Sequence, residues 1–298
     1  MQQYDLENGY LLIRAEKKLF AAYQTLYSNA DTNLFYDWQM RLSDTLWSDN
    51  GFFLVHNNQK LGGAILHKNE VLFPFLIPPF CDRAMFYRQI QRALLMWRDP
   101  DSTELFVRNG LDADVEILLT LGYQRTARSR RGMIRPTDHY DVCLPAGFYE
   151  KPVSVEQSAA IANLLNQAYK GGINEQVFGP LTEADIQADI ERLMATNTSD
   201  VSSLVYDAKT NLLVGACLAG VDPETVNCFA GIGQVGVLPQ VQNRGLGIYM
   251  ILKALSKAYY YSPAMCLFVT VGNPAESLYR HLGFIPGPCF TQMRFQLA

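Results

Sequence analysis

The chain has no surplus of positive charge. Against 25 Lys and Arg stand 29 Asp and Glu, a formal net charge of −4 over 298 residues. A dedicated nucleic-acid binder normally carries a basic excess, so that class of partner is not expected. Long apolar runs are also missing. The longest, Val71 to Phe80, is broken by three prolines and falls well short of the roughly 18 residues of a membrane span. The start, MQQYDLENGY, has neither a basic n-region nor an apolar h-region, so no signal peptide is expected. The six cysteines (Cys81, Cys143, Cys217, Cys228, Cys266 and Cys289) form no CxxC pair, and the four histidines are scattered. This excludes a disulfide frame and a zinc or other metal site, and it points to a cytoplasmic chain with reduced thiols. What is present is core material. Hydrophobic residues make up 49% and charged ones 18% of the chain, enough for roughly two domains of about 150 residues each.

The two domains read as diverged copies of one unit. Gly51 to Leu66 (GFFLVHNNQKLGGAIL) and Ser202 to Leu218 (SSLVYDAKTNLLVGACL) share one grammar: apolar run, polar turn, apolar run with glycine. LFVRNG at Leu105 matches LFVTVGN at Leu267, and LLTLGY at Leu118 matches YRHLGF at Tyr279. Chance recurrence of short apolar runs is the alternative. The boundary falls in Pro136 to Pro152, which gives residues 1–138 and 139–298. That stretch holds three prolines and room for an extended strand.

The second copy reads as helix, helix, hairpin, strand, helix, strand, helix, strand. Ser154 with Gln157 forms a capping-box pattern ahead of Ile161, Leu164, Leu165 and Ala168 on one helical face. Thr182 is the N-cap expected for a helix over Glu183–Ala195. Strands are expected over Ala230–Val237 and Met265–Val271, with a helix between them facing inward through Ile248, Ile251, Leu252, Leu255 and Tyr259. A short helix opens at Pro274 and stops at Gly283. Strands alternating with helices make the fold class α/β, or α+β with a mixed sheet.

One segment carries chemistry: Val235-Gly-Val-Leu-Pro-Gln-Val-Gln-Asn-Arg-Gly-Leu-Gly-Ile248. A strand runs into a loop that opens a helix. Gly245 and Gly247 lack a Cβ, so main-chain N–H groups can approach an anion closely. The helix N-terminus adds positive dipole character, and Arg244 can add charge. This describes a diphosphate cradle or, read plainly, a glycine turn before a helix. It is neither a Walker loop nor a GxGxxG turn.

The surroundings of the loop add a resemblance. Gln242-Asn243-Arg244-Gly245-Leu246-Gly247 fits the Q/R-x-x-G-x-G/A pattern of the GNAT family of acetyl-CoA-dependent N-acetyltransferases. The preceding Val-Gly-Val-Leu-Pro resembles that family's fourth strand, and LFVTVGNPAESLYRHLGF, Leu267 to Phe284, resembles its second signature. The resemblance covers roughly 155–295 and implies two tandem GNAT-like domains with acetyl-CoA as cosubstrate in the second. It implies that Val235 and Val237 pair with the pantetheine arm, with a bulge near Gly236 opening the slot. Gln242 to Gly247 and the start of the helix at Ile248 would hold the diphosphate, Asn273 would contact the cofactor, and Tyr279 would protonate the departing thiolate. General chemistry agrees: acyl transfer needs an oxyanion donor, for which the Val237 N–H is suited, and an acid. Plainer roles stand beside these. Asn273 with Glu276 is a helix cap, and Tyr279 can be packing.

The general base is not evident. Where some family members carry Glu, this chain has Gly233 and Gln234. Asp222, Glu224 and Glu175 are the candidates by proximity, with ordered water as an equal alternative. The first copy is expected to be degenerate, structural or substrate-shaping. Aligning Pro79 with Pro239 sets Asp82, Met85 and Tyr87 opposite Gln242, Gly245 and Gly247, and Leu118 falls opposite Tyr279. Arg125, Arg128, Arg130, Arg131 and Arg135 suggest a solvated edge strand or contact with an anionic partner. Tyr169 to Thr182, with two adjacent glycines, is expected to be a mobile acceptor loop in which Tyr169, Glu175 and Phe178 face an amine or serve as anchors. The expected activity is transfer of acetyl to a primary amine of a small molecule or peptide by direct attack, without a covalent intermediate, because no cysteine lies in the motifs. An acyl-CoA-binding module without turnover and a donor with a longer acyl chain are the rival readings. Neither a nucleic-acid nor a membrane partner is expected.

Overall fold

The computed structural model describes residues 2–28, 41–42, 49–126, 128–221 and 229–297. In chain order the described strands and helices are β1 Gln3–Asp5, β2 Tyr10–Arg14, α1 Lys17–Tyr27, β3 Gly51–His56, β4 Gln59–Leu66, β5 Glu70–Leu76, α2 Arg83–Trp97, β6 Glu104–Gly110, α3 Asp112–Thr120, β7 Gln124–Arg125, β8 Arg130–Pro136, β9 Phe148–Lys151, α4 Ser158–Tyr169, α5 Ile173–Phe178, α6 Glu183–Ala195, β10 Ser203–Asp207, β11 Leu213–Val221, β12 Ala230–Val237, α7 Leu246–Ala258, β13 Ala264–Thr270, α8 Ala275–His281 and β14 Ile285–Gln296. No described helix is long and apolar enough to cross a membrane.

The chain forms two compact units, and their boundary corrects the simple cut at 138/139. Unit 1 is Met1–Arg131 together with Gly287–Ala298; unit 2 is Gly132–Pro286. The reason is hydrogen bonding at the ends of the two copies. The C-terminal part of β14 pairs antiparallel with β6, Thr291 opposite Gly110 and Phe295 opposite Leu105, so the last strand of the chain completes unit 1. The unit 2 part of β8 lies beside β13, with Met133 fully buried in that unit's core. Each unit thus takes its last strand from the other copy's stretch of sequence, a long-range pairing that no local pattern encodes.

In unit 1 the strands follow the order β1-β2-β3-β4-β5-β6-β14; in unit 2 the order is β9-β10-β11-β12-β13-β8. Both are antiparallel up to one parallel pair, β5 with β6 and β12 with β13. The two predicted hairpins are β3–β4 and β10–β11. The first turns on Asn57 and Asn58, both at positive φ (49° and 61°), as a two-residue hairpin turn requires. The second is held by the Asp207 carboxylate, which accepts from the N–H groups of Lys209 and Thr210 at 2.9 Å.

Helices cover both faces of the unit 2 sheet. On one side Ile161 and Leu165 of α4 and Ile186 and Ile190 of α6 pack on Leu204, Ala216 and Leu218. On the other, Met250, Ile251, Ala254 and Leu255 of α7 pack on Val205, Cys217 and Ile232. The buried stripe of α7 is therefore rotated from the predicted one: Ile248 and Tyr259 are exposed, while Met250, Ala254 and Ala258 face the sheet. Small alanines at the contact let the helix lie close to it. The caps agree with the sequence. Ser154 and Gln157 form the capping box, and the Thr182 hydroxyl accepts from the Asp185 N–H at 3.2 Å.

Of the arginine-rich segment, Arg125, Arg128 and Arg130 are exposed, as a solvated stretch requires, while Arg131 and Arg135 are held by the fold. Arg135 donates to the Leu282 carbonyl and to the Tyr140 hydroxyl, and Arg131 donates to the Gly287 carbonyl at 2.5 Å. These guanidinium groups close main-chain acceptors within their own units.

Candidate functional site

The site begins where β12 parts from β13. The two strands pair over only three residues, Ala230–Ile232 with Met265–Leu267. Immediately afterwards β12 bulges: Leu218 pairs with Gln234 and Ala219 with Ile232, which leaves Gly233 as the extra residue. The bulge lies three residues before the expected position at Gly236, because the pairing with β13 stops at Ile232. Gly236 has a different task. A Cβ there would stand 2.8 Å from Leu165 Cδ2 and 3.1 Å from Ala168 Cβ, so its missing side chain lets α4 press onto the strand.

Past the bulge, the phase of the ladder decides which groups face the opening. The Leu238 N–H donates to the Val214 carbonyl at 2.9 Å, so Leu238 and Gly236 bond toward β11. Val235 and Val237 alternate with them and turn their main-chain groups outward. Both outward carbonyls already accept a hydrogen bond, Val235 from the Tyr169 hydroxyl at 3.0 Å and Val237 from Gln242 Nε2 at 3.0 Å. Their N–H groups have no protein acceptor among the described residues.

The strand leads through a 3-10 turn, Pro239–Val241, to the N-terminus of α7. Asn243 (φ 60°) and Gly245 (φ 82°) take left-handed conformations. For Gly245 this conformation, more than close approach, requires glycine. A Cβ on Gly247 would meet nothing within 4 Å, so the ground in front of it is open. No side chain caps α7, and among the described residues nothing accepts from the N–H groups of Gly245, Leu246, Gly247 and Ile248. Four outward N–H groups at the positive end of a helix fit a diphosphate. The side chains around them do other work. Leu246 is buried in the core, Ile248 is exposed, and the Arg244 guanidinium stacks on the Phe148 ring at 4.4 Å.

Tyr279, on α8, is buried against Phe284. Burial, with the neighbouring Cys217 thiol second, pushes its phenol up to about 12. Among the described residues no protein group hydrogen-bonds its hydroxyl. Cys217 was not singled out by sequence. It pairs opposite Val235, and burial pushes its thiol up to about 12, so it holds its proton and is no nucleophile. Tyr169 was expected in a loop facing the acceptor. It ends α4 instead, with its hydroxyl on Val235 and 3.3 Å from Gln234 Oε1, and burial, followed by the proximity of Tyr279, raises its pKa.

Asn273 has the capping role: Oδ1 accepts from the Ala275 N–H at 2.9 Å, and Nδ2 lies 3.4 Å from Asn174 Oδ1. Glu276 does not close the expected box. The Asn273 N–H goes to the Thr270 carbonyl, and Glu276 pairs with Arg280 at 2.7 Å. The segment expected as a mobile loop contains α5, bracketed by Gly171 and Gly179 at positive φ. Of the candidate bases, Glu175 is exposed and accepts from the Gly171 N–H at 2.6 Å, while Asp222 and Glu224 lie outside the described residues. Phe178 is exposed. Among the described residues no three His, Cys, Asp or Glu side chains form a metal-binding group.

Unit 1 has the same opening with different contents. β5 and β6 pair over three residues, Glu70–Leu72 with Phe106–Arg108, and β5 then bulges at Phe73, φ 48°. The Ile77 N–H donates to the Leu61 carbonyl at 2.8 Å, so the outward residues are Leu76 and Pro74, and Pro74 has no N–H to offer. Asp82 caps α2, accepting from the Met85 N–H at 2.8 Å. Matching the two N-caps sets Asp82 opposite Gly245 and Ala84 opposite Gly247, which corrects the pairing of Met85 and Tyr87 with those glycines. The loop before α2, residues 77–82, is two residues shorter than its counterpart, residues 238–245, and Tyr87 is a core residue. Leu118 is the counterpart of Tyr279, as expected. Its carbonyl accepts from the Tyr123 N–H just as that of Tyr279 accepts from Phe284, both at 3.0 Å.

No protein-family model matches the chain, and no curated protein matches it. Solved structures do. A GCN5-related N-acetyltransferase from Sphaerobacter thermophilus is similar over 98% of this chain and 97% of its own, at 16% identity and a TM-score of 0.64. An acetyltransferase of the GNAT family from Colwellia psychrerythraea is similar over 96% and 99%, at 14% identity and a TM-score of 0.53. A glucosamine N-acetyltransferase region of a fungal GH3 β-N-acetylglucosaminidase is similar over 96% of this chain and 38% of that one, at 10% identity and a TM-score of 0.55. At such identities the likeness is one of fold. The chain has the GNAT fold, built twice in tandem.

Proposed function

We propose that unit 2 binds acetyl-CoA and transfers its acetyl group to a primary amine of a small molecule or peptide. One observation carries this: the freed edge of β12 runs directly into the uncapped N-terminus of α7. An open strand edge for an amide-bearing arm and four N–H groups for a diphosphate thereby stand in the order in which coenzyme A carries them. The arm lies between the diphosphate and the thioester, so Val237 is assigned to the arm and Val235, beside Tyr169 and nearer Tyr279, to the thioester oxygen. This shifts the oxyanion donor two residues from the sequence expectation.

The remaining roles follow from protonation. Tyr279 keeps its proton at neutral pH and is the donor to the leaving sulfur. Direct attack by the amine is favoured because Cys217, the buried cysteine among the described residues, is held as a thiol. A free thiol released from acetyl-CoA in the presence of a panel of primary amines tests the proposal. Saturable, amine-dependent release supports it. Tight acetyl-CoA binding with no release from any amine would make the protein a binding module.

A further inference from the structure

Tyr169 is held more firmly than an acceptor-pocket side chain needs to be. Its backbone ends α4, the helix that presses onto β12 at Gly236, where a Cβ would come within 2.8 Å of Leu165 and 3.7 Å of Tyr169 Cε1. Its hydroxyl reaches the outward edge of the strand and donates to the Val235 carbonyl at 3.0 Å. Gln234 Oε1, on the preceding residue, stands 3.3 Å from the same hydroxyl. Tyr279 is close enough to influence it electrostatically. The first outward position after the Gly233 bulge is therefore flanked by a phenol anchored at both ends, through its helix and through its hydroxyl. The helix cannot recede without opening a void between Leu165, Ala168 and the strand.

We infer that Tyr169 is the floor of the acyl slot and restricts the donor to a short acyl chain, acetyl before any longer homologue. This rests on the acyl-CoA reading of unit 2. A thioester held at the Val235 N–H has its acyl carbon beside the Val235 carbonyl, where the Tyr169 hydroxyl already sits. Each further methylene would have to displace an anchored ring. Lengthening an acyl chain against a side chain held in place costs about tenfold or more per methylene.

The test uses the full chain with coenzyme A, acetyl-CoA, propionyl-CoA and butyryl-CoA. Calorimetry reads binding, and thiol release with an accepted amine reads turnover. In the wild type, kcat/KM is expected to fall about tenfold or more from acetyl to propionyl and again to butyryl, with coenzyme A itself bound throughout. Tyr169→Ala is expected to level this series, and Tyr169→Phe, which keeps the ring but loses the hydroxyl and its anchor on Val235, to relax it only in part. Should the alanine variant fail to fold, Tyr169→Leu removes the ring while preserving apolar packing and gives the same readout. A flat wild-type series with coenzyme A bound overturns the inference and leaves the acyl-CoA reading intact. So does an unchanged preference in a folded Tyr169→Ala protein. Absence of coenzyme A binding overturns both.

Discussion

The two units of this chain have the same opening in the sheet and fill it differently. In each, one parallel pair of strands holds for three residues, a bulge follows, and the strand before the helix swings free. Unit 2 presents the N–H groups of Val235 and Val237 along that edge, an uncapped helix after it and Tyr279 beside it. Unit 1 presents Pro74 without an N–H, a helix capped by Asp82, and Leu118 in the core. The opening belongs to the fold, and the open N–H groups and the phenol beside it belong to three local choices. A carboxylate at the cap occupies one of the N–H donors and adds negative charge in one substitution.

The comparison is broken most severely by cutting the chain where the sequence repeat suggests. A fragment of residues 139–298 loses the β8 strand, with Met133, from unit 2 and carries the last strand of unit 1 unpaired. It is expected not to fold as a compact unit, read by circular dichroism and by a lost unfolding transition. A cooperative transition in this fragment would show that the exchanged strands are dispensable.

Next in size is Gly247→Glu. Nothing lies within 4 Å of the Cβ it adds, so the fold should survive. The carboxylate would project in front of the open N–H groups and repel the diphosphate. Loss of measurable acetyl-CoA binding at an unchanged melting temperature is the expected result. Gly245→Tyr makes a poorer probe, because φ 82° strains any side chain there and lowers stability as well.

Tyr279→Phe should lower turnover by roughly 10²- to 10⁴-fold with little change in acetyl-CoA affinity. The pH profile separates acid from packing residue. With its phenol pushed up to about 12, Tyr279 is protonated at all lower pH values and contributes no falling limb in the neutral and mildly alkaline range. The profile of kcat/KM should therefore rise as the acceptor amine deprotonates and show no falling limb up to about pH 10. A fall near pH 8, absent from the phenylalanine variant, would show that the phenol titrates much lower and that its proton is not held as assigned.

Much of unit 2 was legible in the sequence because its signals are local. The Thr182 cap, the Ser154–Gln157 box, the span of β12 and the glycine turn into α7 each depend on residues within a few positions of one another. What escaped depends on residues far apart. The exchange of β8 and β14 is decided by pairings such as Gly110 with Thr291, and the rotated face of α7 by where small residues let it meet the sheet. The bulge was readable in principle, since a glycine inside a strand marks such a site and Gly233 stands in Gly-Ile-Gly-Gln. The hydroxyl of Tyr169 on Val235 had no sequence signal. Aligning the copies on Pro79 and Pro239 failed because the strand phase sets Ile77 opposite Leu238, and so Pro78 opposite Pro239, and because the loops between strand and helix differ in length by two residues. A cap-to-cap alignment recovers Asp82 as the counterpart of Gly245.

The smallest expected effect is the sharpest test of that last correspondence. Asp82→Ala removes the side chain that accepts from the Met85 N–H, which should cost about 1 kcal/mol of stability and lower the unfolding midpoint by a few degrees. It also frees the Met85 N–H at the α2 N-terminus, although the Arg83 N–H still donates to the Cys81 carbonyl at 3.0 Å. If the carboxylate were the only barrier, the variant would bind a second acetyl-CoA. Pro74 still offers no N–H along the edge, however, and Leu118 still fills the place of Tyr279, so restoring the helix end alone leaves the arm without a partner. Titration should saturate at one cofactor per chain in both the wild type and Asp82→Ala, with Gly247→Glu abolishing that one site in either background. A second equivalent appearing in Asp82→Ala would mean that the helix N-terminus by itself decides binding, and that the edge of β12 contributes far less than its open N–H groups suggest.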